Sequence, residues 1–263
     1  DCNPPLSVVD ELKLRADYHI SPQVATYYYI FNVTKKPFDD VKVRKAFTMA
    51  VDRQELVDKV MKNGQLPANA ISPAMPGYTP AAGNPYDVAA AKQLLADAGF
   101  PDGKGFPKVT AIYNTSEAHK KVGEWLQQQW KNNLGIDVEL QNIEWKTFLV
   151  IRNKHDFTLS RAGWVGDYMD PNTFLDMFIT GSGNNNGAYS NPTYDDMIKK
   201  AATQAGEERL ATMMAAEEIL MTQDQAVLPL YYYVNQDLID LNKWNGWYAN
   251  PLGNHQFKFI SKK

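Results

Sequence analysis

Cysteine is almost missing: 263 residues carry one, Cys2. A lone thiol excludes an internal disulfide and any cysteine-based metal cluster. It leaves Cys2 as an anchor, an intermolecular thiol or a bland terminal residue, and no apolar signal region stands before it from which a lipoprotein processing site could be read. Histidine is scarce as well, and His19, His119, His155 and His255 lack the i, i+4 spacing of a helical metal pair. No apolar run reaches the roughly 18 residues that span a bilayer. Neither sign of charge dominates: 27 basic against 30 acidic residues give −3, which is no footprint for nucleic acid. Glycine-rich phosphate cradles and a Gly-x-Ser-x-Gly elbow are absent. Without a nucleophile–base grouping an enzyme is not the expected class, and no motif implies a cofactor.

Aromatic residues are plentiful, at 12% of the chain with 14 Tyr and 6 Trp. They cluster as Tyr27-Tyr28-Tyr29, Tyr231-Tyr232-Tyr233, and Trp244 with Trp247-Tyr248. Such rings line polar-ligand clefts or serve as ordinary core. The runs 26–33 and 227–234 do not alternate in polarity, so they read as buried strands. Between them the pattern interleaves. Asp40 opens a helix with Val43, Ala46, Phe47 and Ala50 on one face, and Asp52 with Glu55 restarts it by a capping-box spacing. A Pro-rich loop follows from Pro67 to Pro85. Asp87 caps a helix over 88–98 that Gly99 stops. Strands are expected over 109–113, 136–140 and 156–160, and helices over 119–130, 144–151, 193–205 and 207–222. Asp39-Asp40 and Asp195-Asp196 are expected to cap helix starts. The ends differ: a short helix over 7–15, and an irregular tail over 235–263 with a strand-like 256–260. The length allows one large domain or two modest ones, and the middle is α/β.

The most informative stretch runs from Arg161 to Pro171. It follows a strand and precedes an apolar helix start, the place where α/β sheets hold ligands. Arg161, Trp164 and Asp167 offer a cation, a flat apolar wall and a carboxylate, which suits a zwitterion such as a peptide. The alternative is an Arg161–Asp167 ion pair closing a loop beside a core tryptophan. Asp170 precedes Pro171 and a helix start, so capping suits it better.

Tyr27-Tyr28-Tyr29, the segment from Pro37 to Phe47 followed by Asp52-Arg53, Glu144-Trp145-Lys146-Thr147-Phe148, the stretch from Arg161 to Asp167, and that from Val227 to Asn235 together resemble the periplasmic oligopeptide-binding proteins. These are family 5 extracytoplasmic solute-binding proteins that feed an ABC importer. The likeness runs in order along essentially the whole chain, nearly without gaps from Ser116 onward. It implies a periplasmic-binding-protein-like α/β lobe of class II, the large peptide-binding type, flanked by segments of an incomplete first lobe. Residues 25–234 would be the second lobe, with 1–24 and 235–263 belonging to the first. Short peptides and a membrane permease are the implied partners, in a bacterial periplasm or on an extracytoplasmic face. The missing N-terminal lobe, or a second copy of the chain, would cover sheet edges left open by the two Tyr strands.

The resemblance also implies roles. Asp167 matches the carboxylate that meets the peptide α-ammonium. Arg161, His119 and Arg152 match cations that meet peptide carboxylates. Trp145 and Trp164 match pocket walls, and Gly163 and Val165 offer backbone to the peptide. Three positions depart from the pattern: Ile30 stands for a glutamate, Met61 for a lysine (with Lys62 adjacent), and Val165 for a cysteine. A truncated lobe with only a structural or interaction role is the rival reading.

Overall fold

Two strands of unusual length hold the molecule together. In the computed structural model, which describes residues 4–263, β1 (Tyr18–Phe31) and β6 (Val227–Leu238) pair antiparallel. They form the middle of a six-stranded sheet in the order β2-β6-β1-β5-β3-β4, where β2 is Leu66–Pro67, β3 Val109–Asn114, β4 Val138–Ile143 and β5 Leu159–Val165. Cys2 lies outside the described residues. The expectation that the Tyr strands form open edges is corrected here: the edges are β2 and β4.

β1 is non-alternating in sequence because both of its faces are covered. Tyr27, Tyr29 and Phe31 enter one core cluster, and Val24, Tyr28 and Ile30 enter another. Against the first face pack α2 (Val41–Met49), α4 (Val88–Asp97) and α5 (Glu117–Leu134). Against the second pack α6 (Trp145–Asn153), α7 (Asn172–Leu175), α8 (Pro192–Ala201) and α9 (Gly206–Glu218). α1 (Val9–Leu12) and α3 (Arg53–Glu55) are short, and α3 runs on through Leu56–Met61. The architecture is the expected α/β one.

Local signals explain the helix ends. Asp40 accepts from Lys42 N, Asp52 from Glu55 N, Asp87 from Ala90 N and Glu144 from Lys146 N, each satisfying an orphan first-turn donor. Val122, Leu126, Trp130 and Leu134 recur every four residues on the buried face of α5, and Gly135 ends it at φ 72°, a conformation that favours glycine. Trp130 Nε1 donates to Phe47 O at 3.0 Å and ties α5 to α2. Asp195 departs from expectation. It is buried within α8 and accepts from Thr180 N, while Asn191 caps the helix.

The Pro-rich loop is held by a buried carboxylate. Glu217 accepts from Ser72 N at 2.7 Å, Tyr78 Oη at 2.7 Å and Ala81 N at 3.0 Å. At Pro229, which has no N–H to give the ladder, the β1–β6 register slips by one residue, and Arg53 Nε donates to Pro229 O.

Both long strands cross the expected domain boundaries. The register between β1 and β6 breaks between Pro22 and Thr26, and Tyr18–Pro22 continues as a ribbon with β6 alone. The tail returns to this break, where Val24 N donates to Pro251 O at 2.8 Å. Within the tail, β7 (Trp244–Asn245) pairs with β8 (Ser261–Lys262), and Phe257–Phe259 is a 3-10 turn rather than the expected strand. Among the described residues no helix is long and apolar enough to cross a membrane.

Candidate functional site

β5 leaves half of one edge unpaired. Its neighbour β3 matches it only at Leu159 and Ser160; beyond them the two parallel strands diverge. On its other side β5 pairs with β1 as far as Val165, and Gly166 N donates to Val24 O at 2.7 Å. Backbone groups alternate in direction along a strand. Trp164 and Ala162 therefore turn theirs toward β1, and Gly163 and Val165 turn theirs to the open edge. Gly163 is also a close-approach position: a Cβ there would meet Tyr233 Oη at 3.0 Å and Arg161 Nη2 at 3.1 Å.

Arg161 stands on the first-cluster side of this edge. Its guanidinium lies over the Tyr27 ring, 4.7 Å from the centroid. Nη1 donates to Asn114 Oδ1 at 3.3 Å and Nη2 to Tyr233 Oη at 3.0 Å. Nε is buried without a partner. Among the described residues no carboxylate pairs with Arg161, and the Arg161–Asp167 ion pair is not formed. His119, in the first turn of α5, sits 5.5 Å from the Tyr27 ring, its Nδ1 3.2 Å from Tyr27 Oη. The resemblance implied a cation at this position. Burial, and then the charge of Arg161, push its pKa down to about 3, so the imidazole is neutral. Both residues line a cavity of about 520 Å³ with Tyr231, Tyr233, Asn63 and Gln65.

The opposite side of the edge is aromatic. Trp164 packs against the second core cluster and its buried Nε1 has no partner. Trp145, 47% exposed, stacks on Phe148 at 6.0 Å. Arg152 lies 5.8 Å from the Phe148 centroid with its Nε buried and unpartnered, and burial lowers its pKa. The eight expected residues thus do not form one surface; they flank the open edge from two sides.

Asp167 follows β5. It is exposed, and its carboxylate takes part in no hydrogen bond or ion pair among the described residues. Its charge, after burial, contributes to raising the nearby Asp176 carboxyl. Asp170 is engaged instead: it takes two bonds of 2.7 Å from Arg209 and one from Asn172 N. Capping was expected of Asp170; the pairing with Arg209, 39 residues away, has no local signal.

Sequence reasoning missed Asn114, Tyr233, Asn63 and Gln65. The Tyr triplets hinted at Tyr233, since alternate members share a face. The departures resolve unequally. Met61 is buried and lines the cavity, whereas Lys62 is exposed at φ 56° and does not. Ile30 lies in the second core cluster.

Known proteins resemble this chain in sequence and in fold. Residues 2–186 match the family described as bacterial extracellular solute-binding proteins, family 5 middle. The periplasmic oligopeptide-binding protein OppA of Salmonella typhimurium is 37% identical, over 96% of this chain and 48% of its own length. The periplasmic murein peptide-binding protein MppA of Escherichia coli is 41% identical, over 83% of this chain and 42% of its own. A crystal structure of a periplasmic oligopeptide-binding protein of Borrelia burgdorferi superposes with a TM-score of 0.90 at 35% identity, covering 99% of this chain and 53% of that one. Haemophilus influenzae OppA, solved in complex with the peptide RPPGFSPFR, gives a TM-score of 0.86 at 31% identity, with 99% and 53% coverage. The chain spans about half the length of the curated relatives it matches. It belongs to family 5 of the bacterial extracellular solute-binding proteins.

Proposed function

We propose that this chain is the ligand-bearing lobe of a peptide-binding component of an ABC importer, working in the periplasm or on an extracytoplasmic face. The ligand is a short peptide that adds as a strand to the open edge of β5. The observation that carries this is the pair of outward-turned backbones at Gly163 and Val165, with an unpaired carboxylate and an unpaired guanidinium N–H close by in the chain. Asp167 meets the peptide α-ammonium. Arg161 meets a carboxylate, with Arg152 and His119 serving ligands of other lengths. Trp145 and Trp164 wall the side-chain pockets, where water adapts the contacts to different residues. A buried terminal charge needs such a partner, because leaving it unpaired costs several kcal/mol.

Residues 25–234 are the second lobe, and 1–24 and 235–263 flank it as parts of the first, joined by the β1–β6 ribbon. The exposed rings of Phe257 (84% exposed) and Phe259 (57%, with Lys258 Nζ over it) support a further covering element over the tail. The chemistry is binding, with no turnover. Calorimetric titration of the intact protein with tri- to pentapeptides tests the reading: saturable heat without peptide consumption is expected, and absence of binding across the series overturns it.

A further inference from the structure

The cavity beside Arg161 holds polar groups that the peptide-binding reading leaves unused. Asn63 and Gln65 line it and are 4% and 8% exposed. Neither side-chain amide makes a hydrogen bond among the described residues, and Asn63 Oδ1 and Gln65 Oε1 are both buried. Arg161 Nε, in the wall of the same cavity, is buried and unpartnered too. Native proteins leave few buried polar atoms unsatisfied, because each gives up its water without compensation. Three residues carrying such groups line one cavity, which points to a ligand that completes them.

The chain is built to hold these residues against the cavity. Lys62 and Gly64 take left-handed backbone angles, φ 56° and 88°. Both are exposed, while Met61, Asn63 and Gln65 between and beside them are buried. A side chain at Gly64 would come within 3.0 Å of Ile20 Cγ2, so the turn calls for glycine on steric as well as backbone grounds. Directly after it, Leu66 and Pro67 pair with Tyr232 and Tyr231 of β6 and hold the segment against the cavity. Met61 adds an apolar wall, 2% exposed.

We propose that Asn63 and Gln65 form an amide-reading subsite that, with Arg161 Nε, selects ligands placing a carboxamide in this cavity: a glutamine or asparagine side chain, or an amidated terminus. The inference rests on the peptide-binding reading and names the ligand chemistry of that site. A carboxamide carries two N–H donors and a carbonyl acceptor, which matches two orphan oxygens and one orphan guanidinium N–H. A carboxylate would satisfy Arg161 but bring no donor to the two oxygens. An ammonium would bring donors but repel the guanidinium. An aliphatic side chain would leave all three unpaired. A strand lying on β5 sends alternate side chains to this side, so the selection acts at one position or at positions two apart.

The test titrates the intact protein with tetra-alanine peptides carrying Gln, Glu, Lys or Leu at one position at a time. At one position, or two alternate ones, Gln should bind roughly tenfold or more tighter than Leu and Lys, the usual penalty when a polar subsite is left unmatched, and tighter than Glu. Asn63→Leu with Gln65→Leu should erase that gap and keep the Leu peptide within about threefold, as expected for sites with no shared protein partner. It should not lower the unfolding temperature, since no protein hydrogen bond is lost. Gln65→Met, closer in shape, should remove part of the gap and serves if the double variant does not fold. A Gln peptide no better than Leu at every position, or a gap that survives these substitutions, overturns the subsite. Absence of binding by all peptides would instead sink the peptide reading and the subsite with it.

Discussion

The two sides of the open edge of β5 are built on different physics. On one side Arg161, His119, Tyr27 and Tyr233 make a polar wall in which the single permanent cation is cradled by neutral partners. On the other, Trp164, Phe148 and Trp145 make an aromatic wall with Arg152 lying across it. One strand supplies both, because Arg161 and Trp164 are three residues apart and so point to opposite faces. The difference shows how one edge can hold a peptide main chain while treating its alternate side chains differently. A cation without a carboxylate is poised for one that arrives with the ligand, whereas the aromatic wall offers flat apolar surface edged by the unpartnered Trp164 Nε1 and Arg152 Nε.

Removing the cation is the most direct way to break this contrast. Arg161→Ala should weaken peptide binding by about 2–5 kcal/mol in calorimetry, the cost of truncating one member of a buried charge pair. Thermal unfolding should change less by comparison, since among the described residues the change removes two hydrogen bonds, to Asn114 and Tyr233, and the contact with the Tyr27 ring. A large drop in unfolding temperature with intact binding would make Arg161 a structural residue.

Asp167→Asn should cost about 2 kcal/mol for peptides with a free N-terminus and much less for N-acetylated ones. The two ligands and two proteins form a double-mutant cycle. A coupling near zero would mean that Asp167 does not read the ammonium, and the site assignment would fail at its centre.

On the aromatic side, Trp145→Ala should cost about 1 kcal/mol in affinity, the scale of one aromatic contact. Since Trp145 is 47% exposed, stability should hold. A loss as large as that at Arg161 would erase the proposed difference between the walls.

The smallest effect at neutral pH concerns His119, whose pKa is pushed from 6.5 to about 3 by burial and then by Arg161. Between those values the unfolded chain binds a proton that the folded one refuses, so this group's contribution falls as pH drops from about 6.5 toward 3 and is flat above 6.5. Denaturant melts of His119→Gln should show a shallower acid loss than the parent chain. Identical slopes would show that His119 titrates normally.

Much of the fold was legible because its signals are local. Asp40, Asp52, Asp87 and Glu144 cap the helices they were expected to start, Gly99 follows the helix it was expected to end, and the Tyr27 run and the Val227–Tyr231 stretch are buried strand. Site legibility was uneven. The stretch from Arg161 to Asp167 could be read from its own residue types, but its split across two faces depends on which strands flank β5. Asn63 and Gln65 gave no signal beyond a glycine between two amides, because what distinguishes them is the absence of a partner in three dimensions.

By itself, then, the chain's sequence determined the alternation of strands and helices, the helix ends and the family, since each is carried by residues a few positions apart or by motifs in order. Only the tertiary structure decided that β1 begins as early as Tyr18 and runs through Pro22, that β1 and β6 lie mid-sheet, and that Asp170 belongs to Arg209 while Asp167 stays free. Each of these rests on partners far away in sequence: Tyr18 opposite Leu238, Asp170 against Arg209, Glu217 holding Ser72. The energy of such pairings exists only once the sheet has brought the partners together, so no local pattern encodes it.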